Sequence, residues 1–184
     1  MALPGTVSIR PEILCELLYD VVDSMAQHGF DKFVLLNGHR IVNISWMQIA
    51  AERAKRNLGV KVVIADPAYL SRGLGGSEEL GSLGHADEIE TSHMLLKYPN
   101  LVNLDLAVDY APPVPDLFEV DPSFAGDVLC YVPKSKAEMG DSVREAGGTT
   151  GRPSRSSEEK GERYFEWVTD GIADVVARLK SGEI

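Results

Sequence analysis

The sequence predicts an α/β fold built from layers of helix and parallel strand. Short apolar runs over 33–36 and 60–65 are typical of buried strands. The first strand follows a segment over 11–28 with apolar residues at three- and four-residue spacing, which indicates an amphipathic helix. A second helix is predicted over 45–57, before the second strand. Strands that alternate with helices in this way form βαβ units and run parallel. In such folds, ligand sites lie at the carboxyl ends of the strands.

Residues that start and stop helices support the ends of these elements. Pro11 suits the first turn of the first helix, and Gly29 follows its end. A final helix is predicted over 158–179, because its apolar residues recur at helical spacing. Either Ser156 or Ser157 is its expected N-cap, with two glutamates in its first turn.

The middle of the chain has a less regular pattern. We predict, in chain order, a loop over 71–84, a helix over 88–97, a proline-rich extended crossing over 109–125, a strand over 128–132 and an exposed loop over 139–157. The first of these loops is long enough to suggest a functional lid or edge.

The composition is that of an ordinary globular domain. The 184 residues are 44% hydrophobic and 25% charged, which predicts a single domain over 1–184. The net charge of −10 disfavours nucleic acid and anionic membranes as partners, and leaves a small-molecule substrate open. No apolar run approaches the roughly 20 residues of a membrane span, and no secretory leader is visible, so we expect a cytoplasmic protein. Cys15 and Cys130 are expected to be core residues, not a disulfide pair.

Polar residues follow both predicted strands. Asn37, Gly38 and His39 come after the first strand, and Asp66 comes directly after the second. These positions lie where the carboxyl ends of parallel strands form a ligand crevice. His39 is the candidate for chemistry here, because the preceding glycine lets the backbone approach a ligand closely.

A second candidate segment begins at His85. It leads into an acidic helix start, in which Asp87 is expected to complement the helix dipole. Glu90 lies further into that helix and is the better candidate for chemistry. The other two histidines, His28 and His93, are expected to be structural.

Two imidazoles and at least one carboxylate on separate loops suit a hydrolytic divalent metal such as zinc or manganese. A catalytic metal needs about three protein ligands and an open position for water, and a second histidine can act as general acid or base. The sequence contains no His-x-His or His-Glu-x-x-His pair, so spacing alone does not single out a metal site.

Two segments resemble signature blocks of the creatininase (creatinine amidohydrolase) family. They are residues 33–39, which read FVLLNGH, and residues 85–99, which read HADEIETSHMLLKYP. Residues 4–8, which read PGTVS, are similar to the family's Pro-Gly-Thr segment. The matches follow the family's order and extend through the final helix, so the resemblance covers nearly the whole chain.

The resemblance implies a three-layer α/β/α sandwich with a mostly parallel sheet. It also implies a two-metal site that takes zinc or manganese, hydrolysis of a cyclic amide-like bond, and assembly into homo-oligomers such as hexamers. By the same resemblance His39 matches a metal ligand, and Glu90 matches a ligand of the second metal. His85 matches the catalytic histidine that handles the proton.

The chain departs from the family pattern in two places. The family's Glu-x-His-Gly block, which supplies the remaining ligands, belongs before residue 4, so we expect this chain to be the C-terminal part of a catalytic unit. In creatininase proper a glutamate stands two residues after the match to His39, where this chain has Ile41, which disfavours creatinine as substrate. Arg40 and Asn43 are candidate substrate-binding residues. Arg40 is either a contact for an anionic or hydroxylated substrate or a surface arginine.

The leading hypothesis is a metal-dependent hydrolase of this family that acts on a cyclic amide-like or related small ring substrate. Formamide-type intermediates and cyclic polyol ketones are alternative substrates within the family. The competing hypothesis is a chain without activity of its own, either a degenerate scaffold or one half of a two-chain hydrolase, because two protein ligands hold a metal poorly. A dinucleotide-binding domain is disfavoured, since Gly73, Gly75 and Gly76 do not open a helix directly after a strand.

Overall fold

The computed structural model of the chain describes residues 5–67, 70, 84–110 and 136–184. Contacts between Cα atoms divide the chain into two compact units. We call them the strand unit, which comprises residues 7–71 and 168–184, and the His85 unit, which comprises residues 1–6 and 72–167. The single domain expected from the length stays a prediction.

The strand unit contains a βαβ motif preceded by a helix. Its elements are α1 (Pro11–Gln27), β1 (Lys32–Leu36), α2 (Arg40–Leu58) and β2 (Lys61–Ala65). The two strands pair in parallel, with a register that runs from Lys32 opposite Lys61 to Leu36 opposite Ala65. The predicted order of elements and the parallel pairing are confirmed, and the carboxyl ends of both strands lie side by side.

An apolar core holds the strand unit together. Val22, Ala54 and Val60 are buried, and seven partly buried residues pack against them: Leu18, Tyr19, Ala26, Phe33, Leu35, Leu58 and Val62. Cys15 is also buried, as predicted. Removing this apolar surface from water stabilises the unit by roughly 25 cal/mol for each Å² that is buried.

Helix α2 begins at Arg40, well before the predicted start near residue 45. His39 is its N-cap residue and has an extended backbone. The N–H of His39 donates to Oδ1 of Asn37 at 3.2 Å, which turns the chain into the helix. The helix ends at Gly59, whose φ of 70° lies in the left-handed region that favours glycine.

The His85 unit is mainly helical in its described part. Its elements are α3 (Glu88–Lys97), three single-turn 3₁₀ helices (Pro99–Leu101, Leu104–Leu106 and Pro153–Arg155), α4 (Lys136–Ala146) and the beginning of α5 (Glu158–Ser181). Residues 168–181 of α5 belong to the strand unit. The prediction of α3 is confirmed, and that of α5 is confirmed with two further residues. Ser157 is the N-cap of α5, because its Oγ accepts the Lys160 N–H at 3.2 Å.

The prediction of an exposed loop over 139–157 is wrong. Most of α4 and one 3₁₀ helix occupy it. Gly140 and Asp141 suggest a turn, but Val143 and Ala146 fall on one helical face, and Ala146 is 6% exposed. The burial of that face outweighs the weak helix propensity of the glycine.

Several predictions fall outside the described residues. They are the strand over 128–132, the core position of Cys130, nearly all of the loop over 71–84 and most of the crossing over 109–125. Among the helices that the structure describes, none combines the length and the apolar character needed to cross a bilayer.

Candidate active site

Asn37 joins the carboxyl ends of β1 and β2 in the strand unit. It is 3% exposed, and its backbone N–H donates to the Ala65 carbonyl at 2.9 Å. Its Nδ2 donates to Oδ2 of Asp66 at 3.3 Å, and its Oδ1 accepts the His39 N–H. The two positions singled out by the sequence at this sheet edge, His39 and Asp66, are therefore both held by one buried amide.

The exposed His39 begins a helical turn that also contains the two candidate substrate-binding residues. Arg40 is the first residue of α2, and Asn43 lies four residues after His39. Asn43 is half-buried, and its Oδ1 accepts a hydrogen bond from Nε1 of Trp46 at 3.3 Å. Asn43 also carries an amide nitrogen, which is a hydrogen-bond donor by chemistry.

His85 is held by its backbone to a second segment of the His85 unit. Its N–H donates to Oγ1 of Thr150 at 2.7 Å, and the Thr150 N–H donates to the His85 carbonyl at 2.8 Å. The two residues form an isolated antiparallel bridge. His85 itself is exposed, so its imidazole lies at the surface of an anchored segment.

Asp87 is a fully buried N-cap that organises the start of α3. Its Oδ1 accepts the N–H groups of Ile89 and Glu90, each at 2.8 Å, and its Oδ2 accepts the Gly84 N–H at 2.6 Å. Burial raises the pKa of this carboxyl above its ordinary value, while the backbone donors act in the opposite direction. The sequence-based expectation that Asp87 serves the helix start is confirmed.

Glu90 closes a small ring around the residue that follows His85. Its Oε2 accepts the Ala86 N–H at 2.8 Å, and Oγ1 of Thr91 donates to the Ala86 carbonyl at 3.2 Å. Ala86 has a φ of 45°, the left-handed region that residues with a side chain rarely adopt. Such strain persists only where the surroundings impose it, and here the two side chains of α3 hold it in place.

A buried ion pair and a serine fix α3 against the start of α5. Glu88 is 4% exposed, and its carboxylate pairs with the Lys160 ammonium. Ser92 is 1% exposed, donates through its Oγ to the Glu88 carbonyl at 2.5 Å and accepts the Ser157 N–H at 3.2 Å. A Cβ on Gly161 would collide with the backbone oxygen of Ser92, so the two helices approach as closely as glycine allows.

The donor types at these positions fit a divalent metal. Imidazole nitrogens and carboxylate oxygens, such as those of His39 and Asp66 in the strand unit or of His85 and Glu90 in the His85 unit, are donors that zinc and manganese take from proteins. Asp87 is not such a donor in this conformation, because its oxygens already accept three backbone N–H groups. Within the described ranges, no group of three or more His, Cys, Asp or Glu side chains is arranged to hold a metal ion. These residues therefore fit a metal in type without completing its coordination.

The structure thus links His39 and Asp66 through Asn37, and it links Glu90 to Ala86, the residue that follows His85. Sequence reasoning missed Thr150 and the Lys160 partner of Glu88. A threonine in a Gly-Gly-Thr-Thr-Gly segment and a lysine in a first helical turn carry no signal of a partner more than sixty residues away.

Asn37, His39 and Asp66 follow the carboxyl ends of parallel strands, where α/β folds bind their ligands. The family model for creatinine amidohydrolase, named Creatininase, matches residues 1–176. The chain belongs to the creatininase family, and the resemblance seen in the two sequence blocks is confirmed.

Three similar proteins illustrate the range of the family. The chain is 33% identical over 190 residues to the creatinine amidohydrolase of Pseudomonas putida, covering 94% of this chain and 65% of that protein. It is 26% identical over 200 residues to the 3-dehydro-scyllo-inosose hydrolase of Thermotoga maritima, covering 100% of this chain and 63% of that protein. A solved mutant creatininase of the Zn–Zn type superposes with a TM-score of 0.70 at 29% identity, covering 97% of this chain and 67% of that one.

The structural similarity confirms the predicted α/β fold class of creatininase type. The chain spans about two thirds of the length of these relatives, at 65% and 63% for the two named hydrolases. Both are hydrolases by name, one for creatinine and the other for 3-dehydro-scyllo-inosose.

Proposed function

We propose that this chain acts as a divalent-metal-dependent hydrolase on a cyclic amide-like or related small ring substrate. The observation that carries the proposal is the segment from His85 to Glu90, which presents an exposed imidazole and a carboxylate at an anchored helix start. Membership of a family whose named relatives are hydrolases supports it. The Zn–Zn form of one relative supports zinc as the metal, with manganese as the alternative.

In this proposal each residue has a separate task. His39 and Glu90 bind metal, and His85 carries a proton between the attacking water and the leaving atom. The metal, when bound, supplies Lewis acidity for the attack of water. The exposed position of His85 suits proton exchange with a substrate. Glu90 accepts the Ala86 N–H through Oε2, and among the described residues its Oε1 accepts no hydrogen bond.

The family offers more than one substrate class. The inosose hydrolase of Thermotoga maritima has a cyclic polyol ketone as its named substrate, and the Pseudomonas putida relative is named for creatinine. Ile41, in the place of a family glutamate, disfavours creatinine, whereas Arg40 and Asn43 offer donors to hydroxyl or carbonyl oxygens. We therefore propose a hydroxylated ring substrate first, with creatinine-like amides and formamide-type compounds as alternatives.

Metal analysis tests the ligand assignments. The purified protein is stripped, reloaded with zinc or manganese and measured by inductively coupled plasma mass spectrometry, alongside His39→Ala, Glu90→Ala and a control, His28→Ala. Because His28 is an exposed histidine at the end of α1, its variant should keep the full metal content. We expect both ligand variants to lose bound metal. Unchanged metal content in them would refute the assigned roles.

Turnover tests the role of His85. The metal-loaded protein is incubated with creatinine, an inosose and a formamide-type compound, and ring opening or deformylation is followed by mass spectrometry. His85→Ala should keep its metal and lose about 10²- to 10⁴-fold in kcat, the usual contribution of a general acid or base. Equal turnover by the variant would exclude His85 from proton transfer.

A non-catalytic role is the second candidate. It is favoured by the incomplete coordination among the described residues. A folded chain that binds neither zinc nor manganese and turns over none of these substrates would support a scaffold role. Light scattering of the same samples tests the proposed assembly into a homo-oligomer such as a hexamer.

A further inference from the structure

We propose that Thr150 is a positioning residue for His85, acting through its side-chain hydroxyl. This inference rests on the proposed function, because it assigns Thr150 the task of orienting the imidazole that moves the proton. Both residues belong to the His85 unit, so the contacts that link them lie within one unit.

The bridge between the two residues is unusual in its acceptor. In a common antiparallel pair the two residues exchange two bonds between backbone groups. Here the Thr150 N–H donates to the His85 carbonyl at 2.8 Å in the usual way. The His85 N–H instead donates to Oγ1 of Thr150 at 2.7 Å. The anchoring of His85 therefore depends on the identity of a side chain as well as on the path of the backbone.

Two glycines allow this arrangement. A Cβ on Gly84 would collide with the backbone oxygen of Thr150, so the Thr150 carbonyl lies directly against the residue before His85. A Cβ on Gly151 would lie 2.7 Å from Cβ of Asp87, and Gly151 has a φ of 132° that other residues rarely adopt. The segments 84–87 and 150–151 are therefore in close contact at both glycines, and we call them the interlocked segments.

The interlocked segments are fixed on both outer sides. Gly151 exchanges two backbone bonds with Tyr110, at 2.6 and 2.9 Å. Asp87 accepts the Gly84 N–H, and Glu90 accepts the Ala86 N–H. Three consecutive N–H groups, of Gly84, His85 and Ala86, are thus each bound to a side-chain oxygen.

This anchoring has a direct consequence for proton transfer. The imidazole of His85 moves with the backbone that carries it, so a shift of that backbone shifts the group that transfers the proton. A displacement of about 1 Å in a reacting group can cost on the order of 10²-fold in rate. Loss of the Thr150 hydroxyl frees the middle of the three N–H groups and should loosen His85 while the other two bonds remain.

The test compares Thr150→Val, which replaces the hydroxyl by a methyl group, with Thr150→Ser, which keeps it. Hydrogen exchange of backbone amides is measured by NMR, with the amides of α3 as internal reference. We expect the His85 amide to exchange about five- to tenfold faster in the valine variant, which corresponds to the loss of one hydrogen bond. The serine variant should retain the exchange rate of the original protein to within about twofold. Thr149→Val, which changes the neighbouring threonine, is the matched control and should leave the His85 amide unchanged.

Kinetics provide the second measurement on the metal-loaded protein. In Thr150→Val we expect kcat to fall about 10- to 100-fold with KM changed less than about threefold, and Thr150→Ser to restore most of the loss. If the valine variant does not fold, as judged by circular dichroism, Thr150→Ala removes the hydroxyl without a β-branched replacement.

The two measurements separate this inference from the proposed function. If the unmutated protein shows no turnover, the proposed function is contradicted. The exchange rate of the His85 amide then still decides whether Thr150 anchors His85. Equal exchange of that amide in the original protein and in both hydroxyl-free variants overturns the inference. So does a serine variant that is folded and exchanges as fast as the valine variant.

Discussion

Replacing Asp87 by asparagine should separate the two tasks of this buried carboxylate. In the structure, Oδ1 accepts the N–H groups of Ile89 and Glu90, and Oδ2 accepts the N–H of Gly84. An asparagine oxygen can keep both bonds to α3, because Asn is as good an N-cap as Asp. Its amide nitrogen then faces the Gly84 N–H, which places two donors against each other at the segment that carries His85.

The magnitude follows from the contacts that are lost. A buried N–H without an acceptor costs about 1–3 kcal/mol, and removal of a buried charge returns part of this, so Asp87→Asn should destabilise the protein by about 1–2 kcal/mol. Asp87→Ala loses the cap as well, which adds about 1 kcal/mol. Urea unfolding at neutral pH, followed by circular dichroism, gives both values. An alanine variant no less stable than the asparagine variant would show that the cap contributes nothing.

The dependence on pH provides a sharper test. Burial raises the pKa of Asp87, so the folded state binds this proton more tightly than the unfolded state. The contribution of Asp87 to stability is then greatest below its unfolded pKa and declines as the pH rises through the folded pKa. The stability difference between the original protein and Asp87→Asn should therefore shrink as the pH rises from about 4. A difference that grows with pH would refute the reasoning, because it would mean that the three N–H donors outweigh burial.

Three further predictions concern the contacts that hold α3. Gly161→Ala should destabilise the protein by about 1–3 kcal/mol in urea unfolding despite the better helix propensity of alanine, because the new methyl group meets the Ser92 backbone; a neutral effect would contradict the close approach. Lys160→Met should lower the free energy of unfolding by about 3 kcal/mol in the same measurement, because it leaves the buried Glu88 without its partner. Lys160→Met combined with Glu88→Gln should recover part of that stability. Burial, followed by the charge of Lys97, lowers the pKa of His93, so the stability of the protein should rise with pH from the lowered folded pKa up to about 6.5. Thermal unfolding at successive pH values measures this slope, which His93→Phe should lack. An unchanged slope in the variant would exclude His93 as its source.

The sequence patterns predicted the elements that form by local rules. The strand–helix–strand order, Pro11 in the first turn of α1, Gly29 after its end and the serine cap of α5 were all visible as residue types at characteristic spacings. Such features depend on residues that are close together in the chain, so periodicity and capping preferences reveal them. The helix over 136–146 was not predicted from the sequence, because its glycine and aspartate suggest a turn when the burial of Ala146 is not known.

For the candidate site, the sequence by itself predicted the candidate residues: His39 after a strand, and His85 and Glu90 at a helix start. Only the tertiary structure decided what holds His39 and His85, which is the Asn37 amide between two strand ends and the Thr150 hydroxyl on the His85 backbone. It also decided that Lys160 pairs with the buried Glu88 at the start of the same helix as Glu90. The physical reason is that a buried polar group must find a partner wherever the fold brings one, and the distance along the chain does not limit that choice.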